Sequence, residues 1–299
     1  MFEHILVPLD GSQLAEEALL YASFFARGYD CRITLLQVIE PVPPNLPHAG
    51  ETFLLQVADN AKQAAQEYLQ AQSETLSLSG INVDIRVALG PVATSIAEFA
   101  SAEGVDLIAI ATHGRSGLDR WLVGSVADRV LHLAESPMLV IRPKALGSMS
   151  GIHLDGIVVA LDGSPLAEEA LPYVTDMALK LQMSVTLVQV VPTASMLYFG
   201  TEFTAVPMDI ESMLEQAATE YLSSLAVSLE KDGVRCETKV LRGDPASAIS
   251  DYARTAPNSL LALTTHGRSG LARTMLGSVT DRLIRDSSHP IFVLPPKAQ

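Results

Sequence analysis

Cysteine is scarce: the 299-residue chain has two, Cys31 and Cys236. They fall at non-matching places of an internal repeat and form no Cys-x-x-Cys pair. That argues against a disulfide framework or a thiolate metal site, and it fits a reducing cytoplasm. Long apolar runs are missing as well: no stretch approaches the ~18 residues that a membrane-spanning helix needs. The first residues, MFEHILVPLDGS, carry no basic segment ahead of the apolar ones and read as a strand, not as a signal peptide. Positive charge is outweighed, with 20 Lys+Arg against 34 Asp+Glu and a formal net charge of −14. Such a surface repels nucleic acid and anionic membranes, so neither is expected as a partner. Two phosphate-binding signatures are absent too. Without a G-x-x-x-x-G-K-[ST] motif a P-loop nucleoside triphosphatase is disfavoured. Without a G-x-G-x-x-G after the first strand, so is a dinucleotide oxidoreductase.

What the chain does have is one unit written twice. ILVPLDGSQLAEEAL (5–19) returns as IVVALDGSPLAEEAL (157–171), and ITLLQVIEP (33–41) as VTLVQVVPT (185–193). LGPVATSIAEFA (89–100) matches RGDPASAISDYA (242–253), and SPMLVIRPKA (136–145) matches HPIFVLPPKA (289–298). The stretch THGRSGLDRWLVGSVADRV (112–130) is repeated as THGRSGLARTMLGSVTDRL (265–283), with 13 of 19 positions identical. The chain therefore reads as a first domain over 1–145, a linker over 146–156 (LGSMSGIHLDG) and a second domain over 157–299, each long enough for its own core.

Within each unit, short β-branched runs (ILVPL, ITLLQV, VDIRVAL, VDLIAIAT, PMLVI) alternate with helical periodicity. The runs are apolar at consecutive positions, as strands covered on both faces must be. The first helix shows Ala15, Ala18, Leu19, Ala22 and Phe25 at helical spacing, and the fourth shows Val126, Val130, Leu133 and Ala134. This pattern predicts an α/β fold: two repeated open parallel five-stranded sheets with helices on both faces, Rossmann-like. Ligands of such sheets sit beyond the carboxyl ends of the strands, at the switch in strand order.

The segment THGRSG leaves the carboxyl end of the fourth strand, and the next helix is expected to start near Ser125, with Ser125-x-x-Asp128 as a variant capping box. A helix start offers unpaired N–H groups and partial positive charge, and glycine lets backbone approach an anion closely. Gly114, Gly117 and Gly124 with Ser125 thus form a candidate phosphate cradle, with Arg115 and Arg120 adding local positive charge. The competing reading is a tight strand exit followed by a serine cap. Asp10 and Asp162, in the two LDGS segments, either hold a ribose hydroxyl or a metal at the crevice, or make an Asx-turn that feeds Ser12 and Ser164 as helix caps. His113 and His266 stand beside the loop glycines with no carboxylate or nucleophile at a telling spacing, so a structural role is favoured. The divergent segments 42–59 and 193–210, with Leu54, Leu55, Met196, Leu197, Tyr198 and Phe199, read either as a lid or partner surface, or as packing between the halves.

The spacing Gly-x9-Gly-Ser after a buried strand, together with V-x-L-D-G-S at the first strand, resembles the universal stress protein family. The resemblance covers both halves, as in a tandem two-domain member. The family's nucleotide pattern is Gly-x2-Gly-x9-Gly-Ser/Thr. Gly114 with Gly124-Ser125, and Gly267 with Gly277-Ser278, fit it, whereas Ala111 and Thr264 replace its first glycine. The resemblance implies that ATP binds, with Mg2+ or Mn2+. Adenine would touch backbone near Pro8, Leu9 and Val38, and Asp10 would reach the nucleoside. Ala111, His113 and Gly114 would flank ribose and α-phosphate, with Gly124, Ser125 and Val126 on the outer phosphates. In the second half the counterparts are Ala160, Leu161, Asp162 and Val190 toward the nucleoside, then Thr264, His266 and Gly267, then Gly277, Ser278 and Val279. The resemblance also implies pairing of the two domains within one chain, and a possible homodimer. No general base or arginine finger is evident, so the expected role is a nucleotide-dependent stress-response module with little or no turnover. A slow ATPase or autokinase, with Ser125 or Ser278 near the transferred phosphate, and a nucleotide-independent interaction protein are the alternatives.

Overall fold

The structure is a computed structural model and describes residues 1–41, 51–112, 124–142, 152–193, 210–265 and 276–295. It separates into two compact units that divide between Ile152 and His153.

In the first unit the order is β1 (His4–Pro8), α1 (Gln13–Tyr29), β2 (Arg32–Ile39), α2 (Glu51–Ser77), β3 (Val83–Leu89), α3 (Val92–Ala102), β4 (Leu107–Ala111), α4 (Ser125–Leu133) and β5 (Met138–Ile141). The strands pair in the order β3-β2-β1-β4-β5. Every pairing is parallel, with Ile5 opposite both Ile33 and Leu107. The chain therefore turns to one side of β1 for β2 and β3 and to the other for β4 and β5, which places the switch in strand order between β1 and β4. Ile5, Leu6, Val7, Leu35, Leu107 and Ile108 are fully buried. Their consecutive apolar pattern reflects helices on both faces of the sheet.

The second unit repeats this plan as β6 (Gly156–Leu161), α5 (Pro165–Glu168), α6 (Leu171–Leu181), β7 (Ser184–Val191), α7 (Ile210–Lys231), β8 (Cys236–Arg242), α8 (Pro245–Ala253), β9 (Ser259–Thr264), α9 (Ser278–Asp286) and β10 (Ile291–Leu294). Its strand order is β8-β7-β6-β9-β10, again all parallel.

The first helix packs as its spacing predicts: Ala15, Ala18, Leu19, Ala22 and Phe25 are all buried. Its counterpart is broken into α5 and α6. Pro172 stands where the first unit has Leu20, and without an N–H it cannot continue the helical ladder into the preceding turn. Asp30 and Gln182 end these helices in the left-handed region, at φ 54° and 56°. Expectations for α4 need two corrections. Leu133 is 50% exposed, and the buried face is formed by Ala127, Val130, Leu131 and Ala134. Val126 is half-buried, and its place is described below.

Candidate functional site

Each unit opens a cavity at the carboxyl ends of its strands, beside the switch in strand order. In the first unit it measures about 860 Å³. Pro8, Leu9 and Asp10 line it from the end of β1, Val38 from β2, Ala111 from β4, and Gly124, Ser125 and Val126 from the start of α4. Eight positions picked out in the sequence thus converge on one space; His113 and Gly114, like Arg115, Gly117 and Arg120, lie outside the described residues. In the second unit Ala160, Leu161, Asp162 and Val190 meet Thr264, Gly277, Ser278 and Val279 around a cavity of about 360 Å³. His266 and Gly267 lie outside the described residues.

The LDGS segments build the turn at the rim. Asp10 accepts the N–H of Ser12 on Oδ1 at 2.9 Å, and Ser12 Oγ accepts the N–H of Ala15 at 3.2 Å. Gly11 between them is at φ 81°, a left-handed conformation that suits glycine. Asp162 repeats the turn, accepting from the N–H of Ser164 at 2.9 Å and from its hydroxyl at 2.6 Å. The aspartates therefore shape the turn that orients α1 or α5 while also lining the cavity.

Ser125 does not cap α4, contrary to the capping-box expectation. The cap residue is Gly124, at φ −56° and ψ 136°, and it has no side chain to supply a capping bond. Gly277 holds the same place before α9. The N–H of Asp128 is the donor that reaches the Gly124 carbonyl, at 3.0 Å. The N–H groups of Ser125, Val126 and Ala127 precede it and, as the first of the helix, have no partner within α4. Gly124 itself donates its N–H to the Thr112 carbonyl at 2.5 Å, and Gly277 to Thr265 at 2.7 Å. A backbone clamp in each unit thus ties the helix start to the strand exit. Ser125 and Ser278, the first helical residues, are exposed.

Two substitutions between the repeats act at the same corner. Thr264 stands for Ala111 and Thr280 for Ala127. Both threonines line the smaller cavity, and the Thr280 hydroxyl donates to the Thr264 carbonyl at 3.0 Å. In the first unit α2 also contributes a wall of Ala61, Ala64, Ala65 and Tyr68. The larger space thus goes with alanines where the second unit has threonines, and with a wall from α2 whose counterpart α7 does not line the smaller cavity.

Two lining residues were not singled out in the sequence. Gln37 on β2 and Gln189 on β7 occupy the same repeat position, and their Oε1 atoms are buried without a hydrogen-bond partner. Leaving a buried acceptor unpaired costs about 1–3 kcal/mol. The signal was a polar residue recurring inside two apolar strand patterns, ITLLQV and VTLVQV.

The perturbed groups outside the cavity are structural. His4, at the amino end of β1, accepts from Arg32 Nη2 at 3.0 Å through Nδ1 and pairs with Thr34 Oγ1 at 2.8 Å through Nε2. Burial, and then the Arg32 charge, push its pKa down. In the second unit Asp244 caps α8 through Ser247 and also binds Arg282. The Ser247 hydroxyl bond holds its carboxyl below the ordinary range, with smaller help from Arg282. Among the described residues no group of His, Cys, Asp and Glu is arranged to hold a metal, and no helix is long and apolar enough to cross a membrane. Leu55 is 62% exposed; the Leu54 side chain and Met196, Leu197, Tyr198 and Phe199 lie outside the described residues.

The fold and the repeat have known relatives. A universal stress protein of Mycolicibacterium smegmatis is 26% identical over 301 residues, covering 98% of this chain and 97% of its own. One of Methanocaldococcus jannaschii is 32% identical over 143 residues, covering 48% of this chain and 83% of its own. Among solved structures, a universal stress protein from Archaeoglobus fulgidus aligns at TM-score 0.71 and 20% identity over 98% of this chain and 96% of that one. A putative universal stress protein from Pseudomonas aeruginosa aligns at 0.69 and 16% over 99% and 94%. The pattern that defines the Universal stress protein family matches residues 1–142 and again 154–295, and the chain therefore belongs to that family, as a tandem of two copies.

Proposed function

We propose that this protein binds an adenine nucleotide and serves as a nucleotide-dependent stress-response module in the cytoplasm, with little or no turnover. The observation that carries the reading is the start of α4. Three amides with no intrahelical acceptor follow a cap residue that has no side chain, and they open into a cavity of about 860 Å³. That volume lies within the range of roughly 300–1,000 Å³ usual for small-molecule sites, and a helix start of this kind favours phosphate oxygens. The base would lie against Pro8, Leu9 and Val38, and the Asp10 carboxylate would face the sugar. Ser125, Val126 and Ala127 would meet the phosphates. An accompanying Mg2+ or Mn2+ would be held chiefly by phosphate oxygens.

Low turnover is supported by the described part of the lining. Phosphoryl transfer needs groups that orient the nucleophile and neutralise charge on the transferred phosphate. The described lining of the first cavity offers the carboxylates of Asp10 and Glu40 and no lysine, arginine or histidine. The second cavity is the weaker site, because its volume is less than half as large. Self-association to a homodimer belongs to the same reading and is checked by light scattering of the full chain.

The test is direct. Purified protein is denatured and the supernatant is chromatographed for released nucleotide, and stripped protein is titrated with Mg-ATP by calorimetry. Adenine nucleotide near one equivalent, with a second weaker event, is expected. Protein that carries no nucleotide and gives no heat with Mg-ATP would leave a nucleotide-independent interaction protein. ADP released over time, above a Gly124→Ala control, would make it a slow enzyme.

A further inference from the structure

Gln37 and Gln189 stand one residue before Val38 and Val190, and each lines the cavity of its own unit. Their side-chain carbonyls are buried and unpaired, and Gln189 as a whole is only 8% exposed. The residues before them, Leu36 and Val188, are apolar and fully buried. An aliphatic side chain would fill such a strand position with no polar group to satisfy. Folding alone gives no reason for an amide here, still less for the same unpaired amide carbonyl at the same place in both repeats. A ligand that brings its own donor does.

A glutamine amide is a planar acceptor–donor pair. It matches the edge of adenine that carries the N6 amino group beside the N7 acceptor. Guanine presents O6 beside N7, two acceptors, and would set a carbonyl against the amide oxygen. Turning the amide over about its last torsion exchanges Oε1 with Nε2 and needs no backbone movement. We propose that Gln37, and Gln189 in the second unit, are the base-reading residues of the two cavities: each donates to a purine ring nitrogen and accepts from the exocyclic amino group, selecting adenine over guanine. This rests on the nucleotide reading above and adds base selectivity to it.

The experiment is calorimetric titration of the full-length, nucleotide-stripped protein with Mg-ATP and with Mg-GTP. The parent, Gln37→Leu, Gln189→Leu and the double variant are compared. The parent is expected to prefer ATP. Gln37→Leu should lower the ATP-to-GTP affinity ratio of the stronger site about tenfold or more, mainly by weakening ATP, and Gln189→Leu should do the same at the weaker site. Urea unfolding of the ligand-free variants should show stability equal to or above the parent's, because the unpaired carbonyl is gone. That separates lost recognition from lost folding. A parent that binds both nucleotides equally, or a ratio unchanged in all three variants, overturns base reading and leaves nucleotide binding standing. A parent that binds neither overturns the nucleotide reading and this proposal with it.

Discussion

Tyr68 on α2 donates its hydroxyl to Glu16 Oε1 on α1 at 3.0 Å, and the second unit repeats the bond between Tyr221 and Glu168 at the same distance. Tyr68 also lines the first cavity, so the bond fixes a helix that forms part of the cavity wall. Gln72 Nε2 donates to the same Glu16 oxygen at 3.1 Å, whereas Leu225 stands at the matching place in the second unit. Tyr221→Phe should therefore cost more than Tyr68→Phe. About 1 kcal/mol is expected for Tyr221→Phe, and less for Tyr68→Phe, where Glu16 keeps a donor. Urea unfolding midpoints of the two single variants check the order.

Gly124 and Gly277 have ordinary negative φ values, −56° and −60°. Their backbone conformation does not require glycine, so Gly124→Val and Gly277→Val should fold. Both glycines line their cavities, so a valine side chain is expected to crowd the space assigned to phosphate. Gly124→Val is expected to weaken Mg-ATP binding about tenfold or more, a loss of at least ~1.4 kcal/mol, with far-ultraviolet circular dichroism unchanged. Gly277→Val should affect only the weaker event. Unchanged calorimetric titrations in both variants would remove the helix starts from the site.

His4 gives a signed prediction for pH. Its folded-state pKa is lowered by burial and by Arg32, against smaller raising effects from Glu103 and Asp106. A base with a depressed folded pKa stabilises the fold above its unfolded value, about 6.5, and that contribution is lost as pH falls through the folded value. Protonation of Nδ1 would also remove the acceptor that Arg32 uses. Stability should therefore decline on acidification below about pH 6.5, and His4→Gln should flatten that part of the profile. Urea midpoints at intervals from pH 7.5 to 5 measure it; an identical slope in the variant would assign the decline to other groups.

The thiols should be slow to react. Burial pushes Cys31 up to about 11, with Asp106 adding to it, and Cys236 up to about 11, with Glu230 and Glu237 adding to it. Thiolate is the reactive form, so at pH 8 both are expected to label far more slowly in the native protein than in urea. Mass spectrometry after timed iodoacetamide exposure distinguishes the two sites, and fast native labelling of either would contradict its assigned environment.

Much of this architecture was legible because the chain states it twice. Apolar runs at consecutive positions marked strands covered on both faces, and the repeat offset aligned their ends. Asp10 and Asp162, and the helix starts at Gly124-Ser125 and Gly277-Ser278, followed from knowing which loops leave carboxyl ends, whereas Pro8, Leu9, Val38, Ala111, Val126 and their counterparts were named for the site only through the family resemblance. Other features depended on geometry that residue types do not fix. A serine three residues before an aspartate reads as a cap, yet the chain enters α4 one residue earlier, where Gly124 has the non-helical cap conformation and its N–H is held by Thr112. Helical spacing put Leu133 inward, but α4 ends just there and leaves it in solvent. The split between α5 and α6 was written in Pro172 and needed only the comparison with Leu20. The glutamines hid in plain view, since strand patterns are read for what is apolar.

The clamps between Thr112 and Gly124, and between Thr265 and Gly277, have an evolutionary consequence. Each closes a ring of backbone around the eleven intervening residues, 113–123 or 266–276. Changes of length or composition inside such a ring need not propagate to the sheet or the helix beyond it, and lengthening a closed loop adds little entropic penalty. On the proposed function, a duplicated gene can therefore vary the residues between two fixed posts in one half or the other while conserving the scaffold that both inherit.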